Sequence, residues 1–342
     1  MSKPIAVLIS DIHYSLQTLE LADKSLRMAI DKANELGVQL IIAGDLHDTK
    51  ANLRGECVNA MIKTFKTAKN RPWVLVGNHD KINEKSIYHS LNFLSPYAEV
   101  INDTTHCIAT DTPVVLIPYQ FAASGFSWEL ARLKERKIII AHQGIQGSDG
   151  GHYIQDLSAI RKEEAGTFRI ISGHYHKRQD IELTYSGIWS YIGNPYTLTF
   201  GEANDPEKGF QILNEDGSLT FVPTNLRKHI VIDVHLSDSD ELVVRNGYYE
   251  VSAQDIVQVR LKGSKSQLPR ANKFKVGQIL GLQDFKLDLI PNDDKLETEG
   301  LKNLSQVEIL DGLIDKLPER AAKDALKVLW RSLNEAAKGN GN

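Results

Sequence analysis

Cysteine is almost missing: a chain of 342 residues carries two, Cys57 and Cys107. Two thiols cannot build a disulfide framework and suit a reducing compartment, where both read as buried apolar side chains. No stretch approaches the ~18 consecutive apolar residues that a membrane span requires. The apolar run within Met1 to Ser10 is short and leads directly into Asp11 and His13, so it reads as a first strand and not as a secretory leader. These absences make the cytoplasm, of a bacterium or of a phage-infected bacterial cell, the expected location. Positive charge is not in excess either. The formal net charge is −4, so any contact with nucleic acid has to come from local basic patches. There is no repeat at a solenoid period, and low complexity is confined to Lys338 to Asn342. With 42% hydrophobic and 25% charged residues, what remains is an ordinary globular composition that excludes disordered and fibrous classes.

The first part alternates short apolar runs with amphipathic stretches: Ile5 to Ile9, Leu16 to Leu36, Leu40 to Ala43, Arg54 to Ala68 and Trp73 to Val76. That is a βαβαβ pattern, with Gly37 placed to close the first helix. From Val114 the chain becomes strand-rich, with runs at Val114 to Pro118, Lys137 to Ala141, Arg169 to Ser172, Ile188 to Ile192, Gly209 to Leu213 and Leu219 to Pro223, the last two joined by a turn at Asn214 to Gly217. A smaller α/β unit follows over 226–292, then a polar linker over 293–303. Two amphipathic helices over 304–337 come last, the first opened by the capping box Ser305 and Glu308.

Five polar clusters stand at the carboxyl ends of five predicted strands. They are Asp11-Ile12-His13, Gly44-Asp45, Gly77-Asn78-His79-Asp80, Ala141-His142 and Gly173-His174-Tyr175-His176. Each alone is commonplace, as a strand-end turn or a hydrogen-bonded core histidine. Together, converging on one sheet edge where open α/β folds place ligands, they describe a metal site. Two divalent ions about 3.5–4 Å apart, sharing one carboxylate, neutralise charge developing on phosphorus. Asp45 is the natural bridge. Mixed nitrogen and oxygen ligation suits manganese, iron or zinc better than magnesium or calcium.

This ordered pattern resembles the calcineurin-like metallophosphoesterases. The resemblance implies a four-layer α/β/β/α sandwich over 1–225. One ion would be held by Asp11, His13, Asp45 and His176, and the other by Asp45, Asn78, His142 and His174. His79 would face the scissile phosphate, with Asp80 holding its imidazole. A narrower resemblance rests on Tyr191 to Glu202, Asn204-Asp205-Pro206 and Lys208-Gly209-Phe210. That segment is similar to SbcD-type nucleases, including the recombination endonuclease subunit of T-even phages. It implies a DNA nuclease using two ions, Mn2+ foremost, with a small capping domain. It also implies C-terminal helices that dock on an SMC-like ATPase, and a homodimer whose surface would include helices around Met61 to Phe65 and Tyr88 to Phe93. Asp48 stands where this branch has an aspartate, while His47 replaces an aromatic residue and Ser15 a glycine. Lys50, Arg54, Lys81, Lys85, Lys177 and Arg178 follow the motifs closely and are candidates for DNA backbone contact. Two other readings stand beside this one: a stand-alone phosphodiesterase or phosphatase acting on small nucleotides or phosphoproteins, and a non-catalytic scaffold of the same fold.

Overall fold

In a computed structural model of the chain, the described residues are 2–291 apart from positions 51, 84, 134–137, 151–155, 157, 204, 206, 238, 240 and 245–250. The linker and the helices expected over 293–337 lie outside them. In chain order the elements are β1 (Pro4–Ile9), α1 (Leu19–Leu36), β2 (Gln39–Ile42), α2 (Gly55–Phe65), β3 (Trp73–Leu75), β4 (Glu99–Ile101), β5 (Thr105–Ala109), β6 (Thr112–Ile117), α3 (Ala123–Ala131), β7 (Ile138–His142), α4 (Lys162–Ala165) and β8 (Arg169–Gly173). They continue with β9 (Gln179–Glu182), β10 (Ile188–Tyr191), β11 (Gly209–Asn214), β12 (Leu219–Pro223), β13 (His229–Leu236), β14 (Leu242–Val244), β15 (Ile256–Gly263), α5 (Lys273–Leu280) and β16 (Lys286–Pro291).

The strands form two six-stranded sheets, β12-β11-β1-β2-β3-β4 and β5-β6-β7-β8-β10-β9. Alternation along β1 explains why the sheets stack. Ile5, Ala6 and Leu8 face Leu116, Ile140 and Ile171 of the second sheet, while Val7 and Ile9 face Leu26, Ile30 and Met61 of α1 and α2. The second sheet buries its outer face, including Val115, Ile139 and Trp189, against Phe126 and Leu130 of α3 and Ala165 of α4. The result is the α/β/β/α sandwich. Runs buried on both faces are what a parallel strand between two layers requires, and they are why these segments read as unbroken apolar stretches. Gly37 ends α1 at φ 67°, the left-handed conformation in which a Cβ is costly.

A third sheet, β14-β13-β15-β16, has its own buried cluster, with Ile232, Val234, Val259, Leu261, Val276 and Phe285 at its centre. The stretch from Leu268 to Leu280 is not one continuous helix: a single 3-10 turn, Leu268–Arg270, precedes α5, and Asn272 caps α5 by accepting the Lys275 amide. Pro269 within that turn and the extended backbone of Ala271 account for the break. Tyr88 to Phe93 is not a helix; only Asn92–Leu94 makes one 3-10 turn, and Tyr88 is exposed. Among the described residues no helix is long and apolar enough to cross a membrane.

Candidate metal centre

Register places the ligands. β1 and β2 run parallel with Ile9 level with Ile42, so the residues beyond both ends emerge side by side. There the Asp11 amide donates to the Gly44 carbonyl at 3.1 Å and the His13 amide to that of Asp45 at 3.1 Å. In the second sheet His142 is level with Gly173, which brings His174 beside it. Asp11, His13, Asp45 and His174 all have positive φ, at 52°, 51°, 49° and 91°. Non-glycine residues rarely adopt this region, and its concentration here is backbone strain held at one site. The glycines of the motifs have a steric cause. A Cβ on Gly77 would come within 2.2 Å of Asp45 Oδ1, and one on Gly44 within 2.2 Å of His142 Nδ1.

The side chains form two groups around Asp11 and Asp45, and a third, His13, Asp48 and His79, overlaps the first. Asp11, His13 and His176 offer donor atoms within 4.8 Å of one another, and so do Asp45, His142 and His174. In the first group His13 Nε2 and His176 Nε2 face each other at 3.2 Å. In the second, Asn78 Oδ1 lies 3.0 Å from His142 Nε2 and 2.9 Å from His174 Nδ1. Asp45 stands between the groups, its Oδ2 3.3 Å from His142 Nε2 and 3.9 Å from His13 Nε2.

The remote nitrogens settle which tautomer each histidine presents. His142 Nδ1 donates to the Ala43 carbonyl at 2.7 Å, leaving Nε2 as the donor to an ion. His176 Nδ1 donates to Glu202 Oε1 at 2.9 Å, and His174 Nε2 to Asp156 Oδ2 at 2.9 Å. Asp48 Oδ1 lies 3.3 Å from His13 Nδ1. His142, His174 and His176 are thus each held by a carbonyl or carboxylate behind the ring, as in metal sites generally, while His13 Nδ1 is buried without a hydrogen bond. Asp156 and Glu202 were not singled out as site residues from sequence. They lie 18 and 26 residues from their partners, and only the Phe200-Gly201-Glu202 motif hinted at one of them. Paired imidazole lone pairs with Asp11 and Asp45, both buried, fit two divalent cations, which would remove the repulsion among these oxygens and nitrogens.

A family model of calcineurin-like phosphoesterases matches residues 6–178, about half of the chain. The chain belongs to that family. It is 24% identical over 218 residues to "Exonuclease subunit 1" of Enterobacteria phage T4, a match spanning 60% of this chain and 61% of the phage protein. It is 23% identical over 285 residues to a protein of Invertebrate iridescent virus 6 described as a phosphoesterase, 244L, covering 78% of this chain and 97% of that one. Among solved structures, a dimetal phosphatase from Danio rerio superposes with a TM-score of 0.43 at 13% identity, over 62% of this chain and 93% of that chain.

In this calcineurin-like phosphoesterase the Asp45 carboxyl is held toward its ionised form. Burial pushes the Asp45 carboxyl up, but the imidazoles of His142, His79 and His13 outweigh it and hold it well below the usual range. Burial alone would lower the His142 imidazole; the charge of Asp45 raises it to about 9 instead. For Asp156 and Glu202 burial is likewise overcome, chiefly by the hydrogen bonds from His174 and His176, and both stay depressed.

The role expected of Asp80 is different in the structure. Its carboxylate accepts the amides of His47 at 2.9 Å, Gly77 at 2.9 Å and Leu46 at 3.4 Å. It ties the Asp45 and Asn78 loops together. His79 is held elsewhere: its amide donates to Asp45 Oδ1 at 2.8 Å and its Nδ1 to the carbonyl of Asp48 at 2.7 Å. Asp80 is turned to main-chain amides and His79 Nδ1 is taken by the Asp48 carbonyl, so the backbone and not Asp80 orients the ring.

The six basic candidates divide. Lys177 pairs with Asp149 at 2.6 Å, Arg178 with Glu207, and Arg54 with Glu56 at 3.6 Å. Lys81 is half-buried over the Tyr119 ring, which itself leans on His174. Lys50, Lys85, Asn83 and Phe121 line a shallow hollow of about 350 Å³. His47 is buried with Nδ1 bound at the Thr49 carbonyl, 3.0 Å away, so it packs beneath the loop.

Proposed function

We propose that the chain is a metal-dependent nuclease that hydrolyses phosphodiester bonds of DNA with two divalent ions, Mn2+ foremost, and works as the nuclease subunit of an SbcCD-like recombination and double-strand-break processing complex. The observation that carries the chemistry is the pair of ligand groups with Asp45 between them, in which His142, His174 and His176 are held in the tautomer that an ion needs. The DNA substrate is supported by the likeness to the phage exonuclease subunit and by the Tyr191 to Phe210 segment. Docking of an SMC-like ATPase on 304–337 and a homodimer complete the reading.

When bound, the ions supply Lewis-acid activation and neutralise charge on the phosphoryl oxygens. The remaining work falls to the chain. Because His79 Nδ1 donates to the Asp48 carbonyl, Nε2 is the nitrogen left to meet the substrate; with the ring as imidazolium, hydrogen on both nitrogens, Nε2–H gives its proton to the leaving oxygen and the ring is left neutral with hydrogen on Nδ1. Asp11 also accepts the His174 amide, at 3.1 Å from Oδ1, fixing both ligand groups in one frame. Preorganised charge of this kind lowers a barrier without reorganisation at the moment of reaction.

The test is incubation of the purified chain with Mn2+ and linear duplex DNA, beside bis-p-nitrophenyl phosphate and with the partner ATPase added. Cleavage of both is expected. Turnover of the small ester with intact DNA would instead support the stand-alone phosphodiesterase, a reading favoured by the acidic net charge and by the pairing of Lys177 and Arg178 with acids.

A further inference from the structure

His176 is gripped twice, by groups from one short stretch of chain. Glu202 Oε1 accepts from its ring at 2.9 Å. The other carboxylate oxygen accepts from Asn194 Nδ2 at 2.9 Å and from the Leu198 amide at 3.2 Å, and lies 3.2 Å from Lys208 Nζ. Lys208 is 6% exposed. Its ammonium donates to Asn194 Oδ1 and Asp205 Oδ2, each at 2.6 Å, and to the His176 carbonyl at 3.2 Å. One buried cation therefore holds the backbone of the ligand and also the carboxylate that holds its ring. A buried lysine costs much desolvation unless each proton finds an acceptor, and here three oxygens receive the three protons while the Glu202 carboxylate lies beside the charge.

The same loop reaches the third sheet. Thr197 Oγ1 accepts the amide of His229, the first residue of β13, at 2.8 Å and lies 3.0 Å from its Nδ1. The Phe200 ring meets the His229 ring edge to face at 4.9 Å. The second ligand group depends on different supports: the Ala43 carbonyl behind His142 and Asp156 behind His174. A disturbance of Glu202 reaches one group and spares the other.

We propose that Glu202 is the positioning residue for the ion of the Asp11, His13 and His176 group, and that the loop from Thr197 to Glu202 ties occupancy of that ion to the first strand of the third sheet. The inference rests on the two-metal reading. A carboxylate opposite Nδ1 forces the proton onto that nitrogen and keeps Nε2 as a lone pair. Glutamine in its place has the same volume but satisfies either tautomer, so Nε2 is no longer committed to the ion.

The experiment is Mn2+ titration of the EDTA-stripped full chain, followed by calorimetry and electron paramagnetic resonance, for wild type, Glu202→Gln and Thr197→Val. Wild type should take up two ions with a spin-coupled signal. Glu202→Gln should weaken one ion by about 10–100-fold, leave the other at wild-type affinity, and show the six-line spectrum of an isolated Mn2+ at one equivalent. Thr197→Val, nearly isosteric, should weaken the same ion by a smaller factor, and it carries the test if the glutamine variant does not fold. Equal weakening of both ions, or wild-type binding in Glu202→Gln, overturns the positioning role. Unchanged binding in Thr197→Val overturns the link to the sheet. Fewer than two ions in wild type would instead overturn the two-metal reading itself.

Discussion

The imidazole of His79 and the carbonyl of Asp48 lie 2.7 Å apart, and the ring nitrogen must be the donor because a carbonyl can only accept. This single bond orients a histidine that stands outside the groups of three around Asp11 and Asp45, in a third group with His13 and Asp48. A main-chain acceptor also keeps its position when side chains titrate.

Removing that ring should therefore affect the reaction and not the binding of ions. His79→Ala is expected to lower kcat on bis-p-nitrophenyl phosphate by roughly 10²–10⁴-fold, the contribution of a positioned proton donor, with two Mn2+ still bound per chain by elemental analysis. Loss of the ions along with activity would show that His79 is a ligand.

Asp80 predicts a different signature. Asp80→Ala leaves the buried amides of Leu46, His47 and Gly77 without their acceptor, and an unsatisfied buried group costs about 1–3 kcal/mol. Denaturant unfolding of the metal-free protein should show a loss of at least about 3 kcal/mol. Asp80→Asn keeps one acceptor oxygen and should recover part of it. A variant as stable as wild type would contradict the structural role.

Gly77 is argued from space. A methyl group there would overlap Asp45 Oδ1 and the Asp45 amide, 2.2 and 2.3 Å from the added carbon. Gly77→Ala should displace the carboxylate shared between the two groups and abolish the spin-coupled pair of Mn2+ ions, while costing about 1–3 kcal/mol through overpacking. A normal coupled spectrum would mean that the loop yields at no cost.

Acidity gives a pH prediction for the metal-free protein. The folded value of His142, about 9, lies above the ordinary 6.5 because Asp45 outweighs the effect of burial. Its contribution to stability is fully present below about 6.5 and is lost as pH rises through about 9. Melting in EDTA should accordingly occur at lower temperature near pH 10 than near pH 7. An ion must displace that proton, so Mn2+ uptake near neutrality should release it, and affinity should climb with pH toward about 9. Calorimetry in two buffers of different ionisation enthalpy measures the release; identical heats would show that His142 is already neutral.

Much of the sandwich is legible along the chain because strands buried on both faces are apolar throughout, as β2 and β7 are. Others are not. β5 alternates exposed and half-buried residues at a sheet edge, and β9, another edge, reads Gln-Asp-Ile-Glu; edge strands have only partial burial to mark them. α3 carries little signal in the sequence, because its apolar residues show little periodicity and only Phe126 and Leu130 are buried.

The candidate ligands are legible for the same local reason. A strand end, a glycine that admits close approach and a short polar cluster are all neighbours in sequence, so Asp11, His13, Asp45, Asn78, His142, His174 and His176 stand out as candidates from their order. Which nitrogen each histidine turns inward, and whether Asp80 serves His79 or the amides around it, cannot be read that way. Those choices depend on what stands behind each ring, and Asp156, Glu202 and Lys208 arrive there only through the register of two sheets and a loop that returns from the second to the first. Sequence determined the chemistry on offer at the sheet edge; the tertiary structure decided how each donor is aimed, because a hydrogen-bond partner is chosen by proximity in space.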